Sequence, residues 1–195
     1  MRVIGLTGGI GMGKSTASAV FRRARLPVFD ADRAVRALQA RGGAAIPPIA
    51  AAFPEAVRDG VIDRARLRAA VLGRPEALKR IEAIIHPLVR DAERRFLRAA
   101  RRRGARAAVL DIPLLFETGG QKRVDFVLVV SAPADIQRAR VQARGLMSAA
   151  EIEAVIARQM KDAEKRRRAD RVIPTGLSRH HAWRRLRRVI LELYR

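Results

Sequence analysis

The sequence from residue 8 to residue 15 is Gly8-Gly9-Ile10-Gly11-Met12-Gly13-Lys14-Ser15. This stretch matches the G-x-x-x-x-G-K-[ST] pattern of a phosphate-binding loop. It follows the apolar run 3–6 and precedes a helical pattern that begins near Ser15, which is the strand–loop–helix order that the motif requires. A glycine-rich turn that matches the pattern by chance is the plainer alternative. The position of the stretch favours a loop that binds a nucleoside triphosphate.

Each part of this loop has a chemical task toward a polyphosphate. The glycines allow backbone amides to turn inward around phosphate oxygens, and the following helix points its positive N-terminus at the same anion. Lys14 adds a full charge near the β- and γ-phosphates, and Ser15 offers a hydroxyl to Mg²⁺. We therefore expect residues 8–15, together with Thr16, to bind the nucleotide.

Length and composition limit the class of protein. A chain of 195 residues, 49% of them hydrophobic, is long enough for a core and is not disordered by composition. It has no Cys, which excludes disulfides, thiolate metal sites and Cys nucleophiles. The chain enters a strand at once and lacks an apolar run of about 18 residues, so we expect no signal peptide and no membrane span. These features favour a cytoplasmic protein.

The formal net charge of +22 suggests nucleic-acid binding at first sight. The basic residues are nearly all Arg and are spread along the whole chain, as a coding bias would produce. With one Trp, one Tyr and six Phe, no aromatic platform for stacking bases is evident. A positive field also attracts an anionic nucleotide and an anionic acceptor. We expect no nucleic-acid partner, and a basic nucleic-acid-binding ATPase stays as an alternative.

Five strand-like runs alternate with helical segments, at residues 2–6, 27–29, 107–110, 126–130 and 171–173. Apolar strands bounded by helices predict a parallel sheet that is covered on both faces. Ligands of such sheets gather at the carboxyl ends of the strands. The phosphate loop, Asp30, Asp32, Asp111 and Pro113 all fall at these ends. The predicted fold is α/β: a three-layer P-loop kinase fold with a five-stranded parallel sheet, a helical acceptor-binding insert and a helical lid.

Residues 1–195 are predicted to form one such domain, with its core at about 1–33, 104–132 and 169–195. The insert, about 34–103, ends in a helical stripe over 76–103, and His86-Pro87 in its middle should bend or restart the helix. The stripe comprises Leu78, Ile81, Ile84, Ile85, Leu88, Val89 and Phe96. An insert at the binding edge is well placed to hold a second substrate. A purely structural helical cap is the alternative.

The lid, about 133–168, is predicted to form two helices that are broken near Arg144-Gly145. Arg140 and Arg144 are four residues apart and share a face of the first helix. Arginines opposite a phosphate loop are typical of a lid that closes over the transferring phosphate. An Arg-rich face in solvent is the alternative.

The last predicted helix, Ser178 to Tyr194, has apolar residues at helical spacing, which we interpret as core packing. They are Trp183, Leu186, Val189, Ile190 and Leu193.

The residue inventory narrows the class of nucleotide-binding protein. The chain contains no Asn. This excludes the Asn-Lys-x-Asp motif by which GTPases read guanine, and also the catalytic-loop Asn of eukaryotic-type protein kinases. A small kinase remains, which would transfer phosphate to a small-molecule hydroxyl or phosphate.

Three carboxylates are candidates for the chemistry of such a kinase. Asp111 closes the apolar run 107–110 and has the placement of a Walker-B carboxylate that anchors Mg²⁺. Asp30 and Asp32 flank Ala31, and alternation along an extended stretch would put both carboxylates on one side. One could accept the proton of the acceptor hydroxyl while the other supports the metal or the loop. Capping of the following helix is the alternative for Asp32.

These residues occur in an order that resembles one family, the dephospho-coenzyme A kinases. Residues 5–16 are followed by Phe29-Asp30-Ala31-Asp32, by Ile85-His86-Pro87-Leu88-Val89 and by Asp111-Ile112-Pro113-Leu114-Leu115-Phe116-Glu117. Gln137, Arg140 and Arg144 keep the family's Q-x-x-R-x-x-x-R spacing, and Gln159, Ala169-Asp170 and Val172-Ile173 match its closing segment. The resemblance spans nearly the whole chain.

The resemblance implies phosphorylation of the ribose 3′-hydroxyl of dephospho-coenzyme A by ATP with Mg²⁺, the last step of coenzyme A synthesis. It implies Asp32 as the general base, with Lys14 and Arg140 as further catalytic residues. It also implies binding roles at more positions. Residues 8–16, Arg140 and Arg144 would bind ATP, and Ser15 and Asp111 would bind Mg²⁺. The residues that would bind the acceptor are Asp30, Asp32, His86, Pro113, Leu114 and Phe116.

Three positions depart from the family's pattern, and one of them is Lys161, where the family often has a small residue or Pro. Met12 stands where the loop often has Ser, which should matter little because backbone amides bind the phosphates. Pro174-Thr175 replaces a common Asp-Asn after the fifth strand, which leaves backbone groups of that segment as the contacts available to adenine. A nucleoside or nucleotide kinase of the same fold stays as the nearest alternative, and the sequence carries no signal for an oligomeric state.

Overall fold

A computed structural model describes residues 1–193 of the protein, with side chains up to residue 192. Its main sheet has five strands in the order β2-β5-β1-β6-β7. The strands of this sheet are β1 (Arg2–Thr7), β2 (Val28–Asp30), β5 (Ala107–Asp111), β6 (Phe126–Ser131) and β7 (Arg171–Pro174), and a small hairpin contains β3 (Val57–Arg58) and β4 (Val61–Ile62). The pairs β1–β5, β1–β6 and β6–β7 are parallel. The five predicted strands and the α/β class are confirmed.

Nine α-helices lie within residues 1–193, and two short 3₁₀ helices lie at Pro54–Ala56 and Gly120–Arg123. The α-helices are α1 (Lys14–Arg23), α2 (Ala31–Leu38), α3 (Ile46–Ala52), α4 (Arg64–Val71), α5 (Pro75–Arg102), α6 (Ala134–Gln142), α7 (Ala149–Arg158), α8 (Asp162–Arg167) and α9 (Arg179–Leu193). The chain divides into two compact units, Met1–Phe29 with Ala99–Arg195, and Asp30–Arg98. No helix in the described part of the chain is both long enough and apolar enough to cross a membrane.

The first unit contains the sheet and a core formed by the sheet with α1 and α9. Phe21 of α1 and Leu186 of α9 are fully or almost fully buried there beside Ile4 and Leu128 from the central strands. Because parallel strands are covered by helices, they are nearly continuous apolar runs, and all five residues of β5 are buried. This core holds the carboxyl ends of the strands, where the predicted site lies, in a fixed arrangement.

The second unit has its own core, built from α3, the hairpin, α4 and one face of α5. Ile49 and Ala56 are fully buried, and Ile85 of α5 packs with them. Most of the predicted apolar stripe of α5 lies in or against this core, whereas Leu78 is exposed. The expected restart of the helix at Pro87 is wrong, since α5 continues through it from Pro75 to Arg102.

Two other expectations about helices need correction. Residues 133–168 form three helices, α6, α7 and α8, where two were predicted. Trp183 of α9 is 38% exposed and lies beside His180 and under the Arg187 guanidinium, so it does not belong to the core. Leu186, Val189 and Ile190 do pack in the core as predicted. Tyr194, the predicted end of this helix, lies outside the described residues.

Candidate active site

The phosphate loop connects the end of β1 to the first turn of α1. Gly13 is the N-cap of α1 with φ 91°, a left-handed conformation that favours glycine, and no side chain caps the helix. The Ala17 amide donates to the Gly13 carbonyl over 3.2 Å as the first bond of the helix. The amides of residues 14–16 therefore precede the helical ladder and form its positive end. The local geometry is that of an anion-binding helix terminus.

Lys14 forms an ion pair with Asp111 beside this terminus. The Lys14 Nζ lies 2.7 Å from Asp111 Oδ1. The two residues meet because β1 and β5 are neighbours, with Leu6 opposite Asp111 in the register. The Ser18 hydroxyl donates to the other Asp111 oxygen. Sequence reasoning missed Ser18, although its position one turn after Lys14 places both residues on one face of α1.

The donor set beside the loop suits a hard divalent cation. Asp111 is a buried carboxylate, and Ser15 presents an exposed hydroxyl in the first turn of α1. Mg²⁺ prefers oxygen ligands and is usually held by one or two protein groups together with phosphates and water. Asp111 and Ser15 therefore fit the metal role that the sequence predicts for them.

Arg140 on α6 is braced against the segment that follows β7. Its Nη2 donates to the Thr175 carbonyl over 2.7 Å, and its Nη1 lies 3.3 Å from the Thr175 hydroxyl. That hydroxyl donates in turn to the Met12 carbonyl over 2.8 Å. Thr175, a departure from the family pattern, thus links the last strand to the phosphate loop.

A polar cavity of about 250 Å³ opens between the phosphate loop, α6 and α9. Its lining includes Gly13 and Thr16 from the loop and first helical turn, Arg140 and Arg144 from the lid, and Thr175. Arg144 follows α6 and is exposed. The structure thus places both predicted arginines beside the phosphate loop.

Met12 is buried, and its thioether accepts a hydrogen bond from the Ala132 amide at an N–S distance of 3.0 Å. Met12 thus anchors the loop to the residue that follows β6. That the departure from Ser matters little for phosphate binding stays a prediction.

Two glutamine side chains hold the backbone of Ile10 at the tip of the loop. Gln159 Oε1 accepts from the Ile10 amide over 3.0 Å, and Gln137 Nε2 donates to the Ile10 carbonyl over 2.8 Å. In the sequence, both glutamines stand out only as parts of a family pattern. Nothing in the local sequence indicates that they contact the loop.

An ion pair between a buried lysine and a partly exposed glutamate supports the segment after β5. Lys165 of α8 is fully buried and its Nζ lies 2.8 Å from Glu117 Oε1 and 3.3 Å from the Pro113 carbonyl. Burial alone would raise the pKa of Glu117, but hydrogen bonds from Lys165 and the Met160 amide outweigh it and hold that pKa below its usual range. The pair fixes the segment 113–117 against α8.

The acceptor residues predicted in this segment differ in exposure. Leu114 is exposed and Pro113 half-buried, whereas the Phe116 ring is buried. Phe116 therefore belongs to the interior, and Leu114 is the side chain of this group that faces solvent.

The predicted arrangement of Asp30 and Asp32 along an extended stretch is wrong. β2 ends at Asp30, whose carboxylate accepts the Arg33 amide over 2.9 Å and caps α2. Asp32 lies in the first turn of α2 and is exposed. Residues two apart on a helix do not share a face. Asp30 thus caps α2, which was the alternative role for Asp32, and Asp32 is exposed to solvent.

His86 lies in the middle of α5 in the second unit and is half-buried. It follows Ile85, which packs in the core of that unit. Its predicted role toward an acceptor stays a prediction.

Comparison with known proteins gives consistent matches along the chain. A family model described as dephospho-CoA kinase matches residues 2–178. The protein named dephospho-CoA kinase in Gluconobacter oxydans (strain 621H) is 53% identical over 197 residues, which cover 99% of this chain and 98% of the relative. The crystal structure of TT1252 from Thermus thermophilus superimposes with a TM-score of 0.85 at 39% identity, covering 98% of this chain and 97% of that one. The structure of dephospho-CoA kinase from Campylobacter jejuni has a TM-score of 0.67 at 22% identity, covering 98% and 97%, which supports the fold.

Proposed function

Because the chain belongs to the dephospho-CoA kinase family, we propose that it transfers the γ-phosphate of ATP to the ribose 3′-hydroxyl of dephospho-CoA. The observation that carries this proposal beyond the family match is the Lys14–Asp111 ion pair at the end of the phosphate loop. It places the cation of the loop beside the carboxylate of the neighbouring strand, and P-loop enzymes use these two kinds of group to bind the phosphates and the metal.

The phosphate loop and the first turn of α1 would bind the β- and γ-phosphates. The amides of residues 14–16 and the Lys14 ammonium supply donors and charge at this end of the helix. The polar cavity beside Arg140 and Thr175 would receive the nucleoside end of ATP. Arg140 and Arg144 would then lie along the triphosphate and stabilise charge that develops during transfer.

Mg²⁺ would be held by Ser15 and Asp111 together with phosphate oxygens. When bound, it neutralises charge on the β- and γ-phosphates. The carboxylate of Asp111 is kept in place by Ser18, so its second oxygen is available to Lys14 or to the metal.

Asp32 is assigned as the general base from the family resemblance and from its place directly after β2, a strand of the same sheet. Its carboxylate would accept the proton of the 3′-hydroxyl while that oxygen bonds to the γ-phosphorus. The bond from the γ-phosphorus to the bridging oxygen breaks, and ADP leaves with the electron pair. An exposed carboxylate is available for this task, whereas Asp30 already accepts a helix amide.

The second unit, residues 30–98, is proposed to bind the acceptor, with His86 among its contacts. We place the reaction in the cytoplasm, where ATP is abundant and a chain without Cys needs no oxidising compartment.

A coupled assay of ADP release tests the activity, with dephospho-CoA, AMP, adenosine and RNA offered separately. We expect turnover with dephospho-CoA alone and a new phosphomonoester on the ribose in the ³¹P NMR spectrum of the product. Comparable turnover with AMP or adenosine would establish a nucleotide or nucleoside kinase instead. ATP hydrolysis that RNA stimulates with a steep salt dependence would establish a nucleic-acid-binding ATPase.

A further inference from the structure

The backbone of Ile10 is held on both sides by side chains of the lid. Its N–H donates to Gln159 and its carbonyl accepts from Gln137, at 3.0 and 2.8 Å. A backbone N–H can only donate and a carbonyl can only accept, so the chemistry of Ile10 fixes the amide orientation of both glutamines. Gln159 must present its oxygen and Gln137 its nitrogen.

The two glutamines approach the loop closely at Gly9. A Cβ at residue 9 would lie 3.2 Å from Gln137 Nε2 and equally far from Gln159 Oε1. This separation is tighter than an ordinary van der Waals contact, so a side chain at this position would push the glutamines away. Gln137 is buried and Gln159 half-buried, which shields both bonds from competition with water.

The glutamines come from opposite ends of the helical segment over the loop. Gln137 lies in the first turn of α6, and Gln159 is the C-cap residue of α7. They are 127 and 149 residues away from Ile10 along the chain. The loop is therefore tied to the segment where that segment leaves the sheet and where it returns.

We propose that Gln137 and Gln159 are positioning residues that set the conformation of the phosphate loop before ATP binds, an inference that rests on the proposed function. They fix the peptide groups on both sides of Ile10, so the amides that follow in the loop and in α1 are already aimed at the phosphates. A donor set that needs no rearrangement binds an anion more tightly than one that must first be ordered.

Because Gln159 must accept a hydrogen bond and Gln137 must donate one, the two residues should respond differently to the same substitution. Gln159→Glu keeps an acceptor for the Ile10 amide, whereas Gln159→Met removes it. Gln137→Glu places an acceptor against the Ile10 carbonyl, so it should disturb the loop at least as much as Gln137→Met. Gln142→Met is the matched control, since Gln142 is exposed at the end of the same helix as Gln137.

Amide hydrogen exchange in the full-length enzyme without nucleotide reads the loop directly. We expect the Ile10 amide to be protected in the wild type, in Gln159→Glu and in Gln142→Met, and to exchange about tenfold faster in Gln159→Met, as loss of one hydrogen bond of ordinary strength predicts. The dissociation constant of ATP, measured by calorimetric titration, should rise about tenfold in Gln159→Met and Gln137→Met. The KM of the acceptor should stay unchanged.

Unchanged Ile10 exchange and ATP affinity in both Met variants would overturn the proposal. Equal loss of protection in Gln159→Glu and Gln159→Met would also overturn it, because the argument requires an acceptor at residue 159. If the Met variants fail to fold, the comparison of Gln159→Glu with Gln137→Glu decides the matter, since only the first keeps its bond. These measurements need no acceptor, so failure of dephospho-CoA to react would contradict the proposed function and leave this inference standing.

Discussion

Replacing Lys14 by Met removes the cation beside Asp111 and keeps the apolar stem of the side chain. The two charged groups are 2.7 Å apart, and their side chains are 17% and 4% exposed. At this distance two unit charges attract by about 6 kcal/mol at an effective dielectric constant of 20, before desolvation is subtracted. Removing one partner of a buried pair generally costs about 3–5 kcal/mol. Since Ser18 still donates to Asp111, we expect the lower end, about 3 kcal/mol.

A thermal melt without nucleotide measures this loss. For a protein of this length, 1 kcal/mol shifts the Tm by about 2–4 °C, so Lys14→Met should lower it by about 6–12 °C. The double variant Lys14→Met with Asp111→Asn should recover most of this shift, because an amide needs no cation. Lys79→Met is the control, since Lys79 pairs with Glu76 on an exposed helix surface, where an ion pair contributes about 0–1 kcal/mol.

The same variants separate stability from catalysis. Both the single and the double variant should lose activity by about 10²–10³-fold, because the charge at the transferring phosphate is absent from each. A Tm of Lys14→Met equal to that of Lys79→Met would refute the energetic argument, as would a double variant no more stable than the single one. Wild-type turnover in folded Lys14→Met would refute the assignment of the phosphate loop.

Three further predictions concern other parts of the site. Asp32→Asn should lower kcat by about 10²–10⁴-fold with little change in the ATP dissociation constant, and an unchanged kcat would remove Asp32 as the base. Arg140→Ala should lower kcat more than it raises the KM of the acceptor. Arg102→Ala, at an exposed helix end, should change neither constant. Small effects of equal size for both variants in steady-state assays would exclude the lid role of Arg140. Glu117 has a lowered pKa in the folded state, so its pairing with Lys165 stabilises the fold above the ordinary pKa of 4.5, and this stabilisation is lost as the pH falls through the folded value. Lys165→Met should therefore lower the Tm most near pH 7 and least at a pH below the lowered pKa of Glu117, and a pH-independent difference in melting would contradict the assignment of the pair.

The features that were predictable from the sequence are those written in local patterns. The phosphate loop is contiguous, and the apolar strands are short runs bounded by helices, so the five strands and their parallel sheet were predictable. The order of the strands in the sheet, β2-β5-β1-β6-β7, was not predicted. Asp111 could be assigned because it ends such a run. The contacts of Gln137 and Gln159 with Ile10 join residues more than a hundred positions apart, and no local period encodes them.

The error at Asp30 and Asp32 has a definite physical cause. The prediction extended β2 by two residues, but a carboxylate at an N-cap accepts a helix amide that would otherwise lack a partner. Asp30 makes this bond with Arg33, and the helix begins at Ala31. The cap that Asp30 provides thus favours a helix over a longer strand at this point of the chain.

The helix through Pro87 shows tertiary packing outweighing a local preference. Proline in a helix interior costs about 3 kcal/mol through the lost amide and the clash with the preceding turn. On both sides of it, α5 packs apolar residues on the second unit's core: Ile85 before it is buried, and Leu88 after it is partly buried. Full burial of one such side chain contributes about 1.5–3 kcal/mol, and partial burial contributes less. The apolar residues that α5 packs on this core therefore together offset the cost of the proline.

The hydrogen bonds of the lid also constrain how it could move. The segment 159–165 is tied to the ends of three strands: Gln159 to the loop after β1, Met160 and Lys165 to the segment after β5, and Asp162 to Ser131 at the end of β6. A lid that moved as one body from residue 133 to residue 168 would break all of these bonds, at about 0.5–1.5 kcal/mol each. A movement confined to residues 143–158 breaks none of them. Residues 159–165 of the predicted lid thus belong with the carboxyl ends of the strands. Their contacts join the phosphate loop to the segment that follows Asp111.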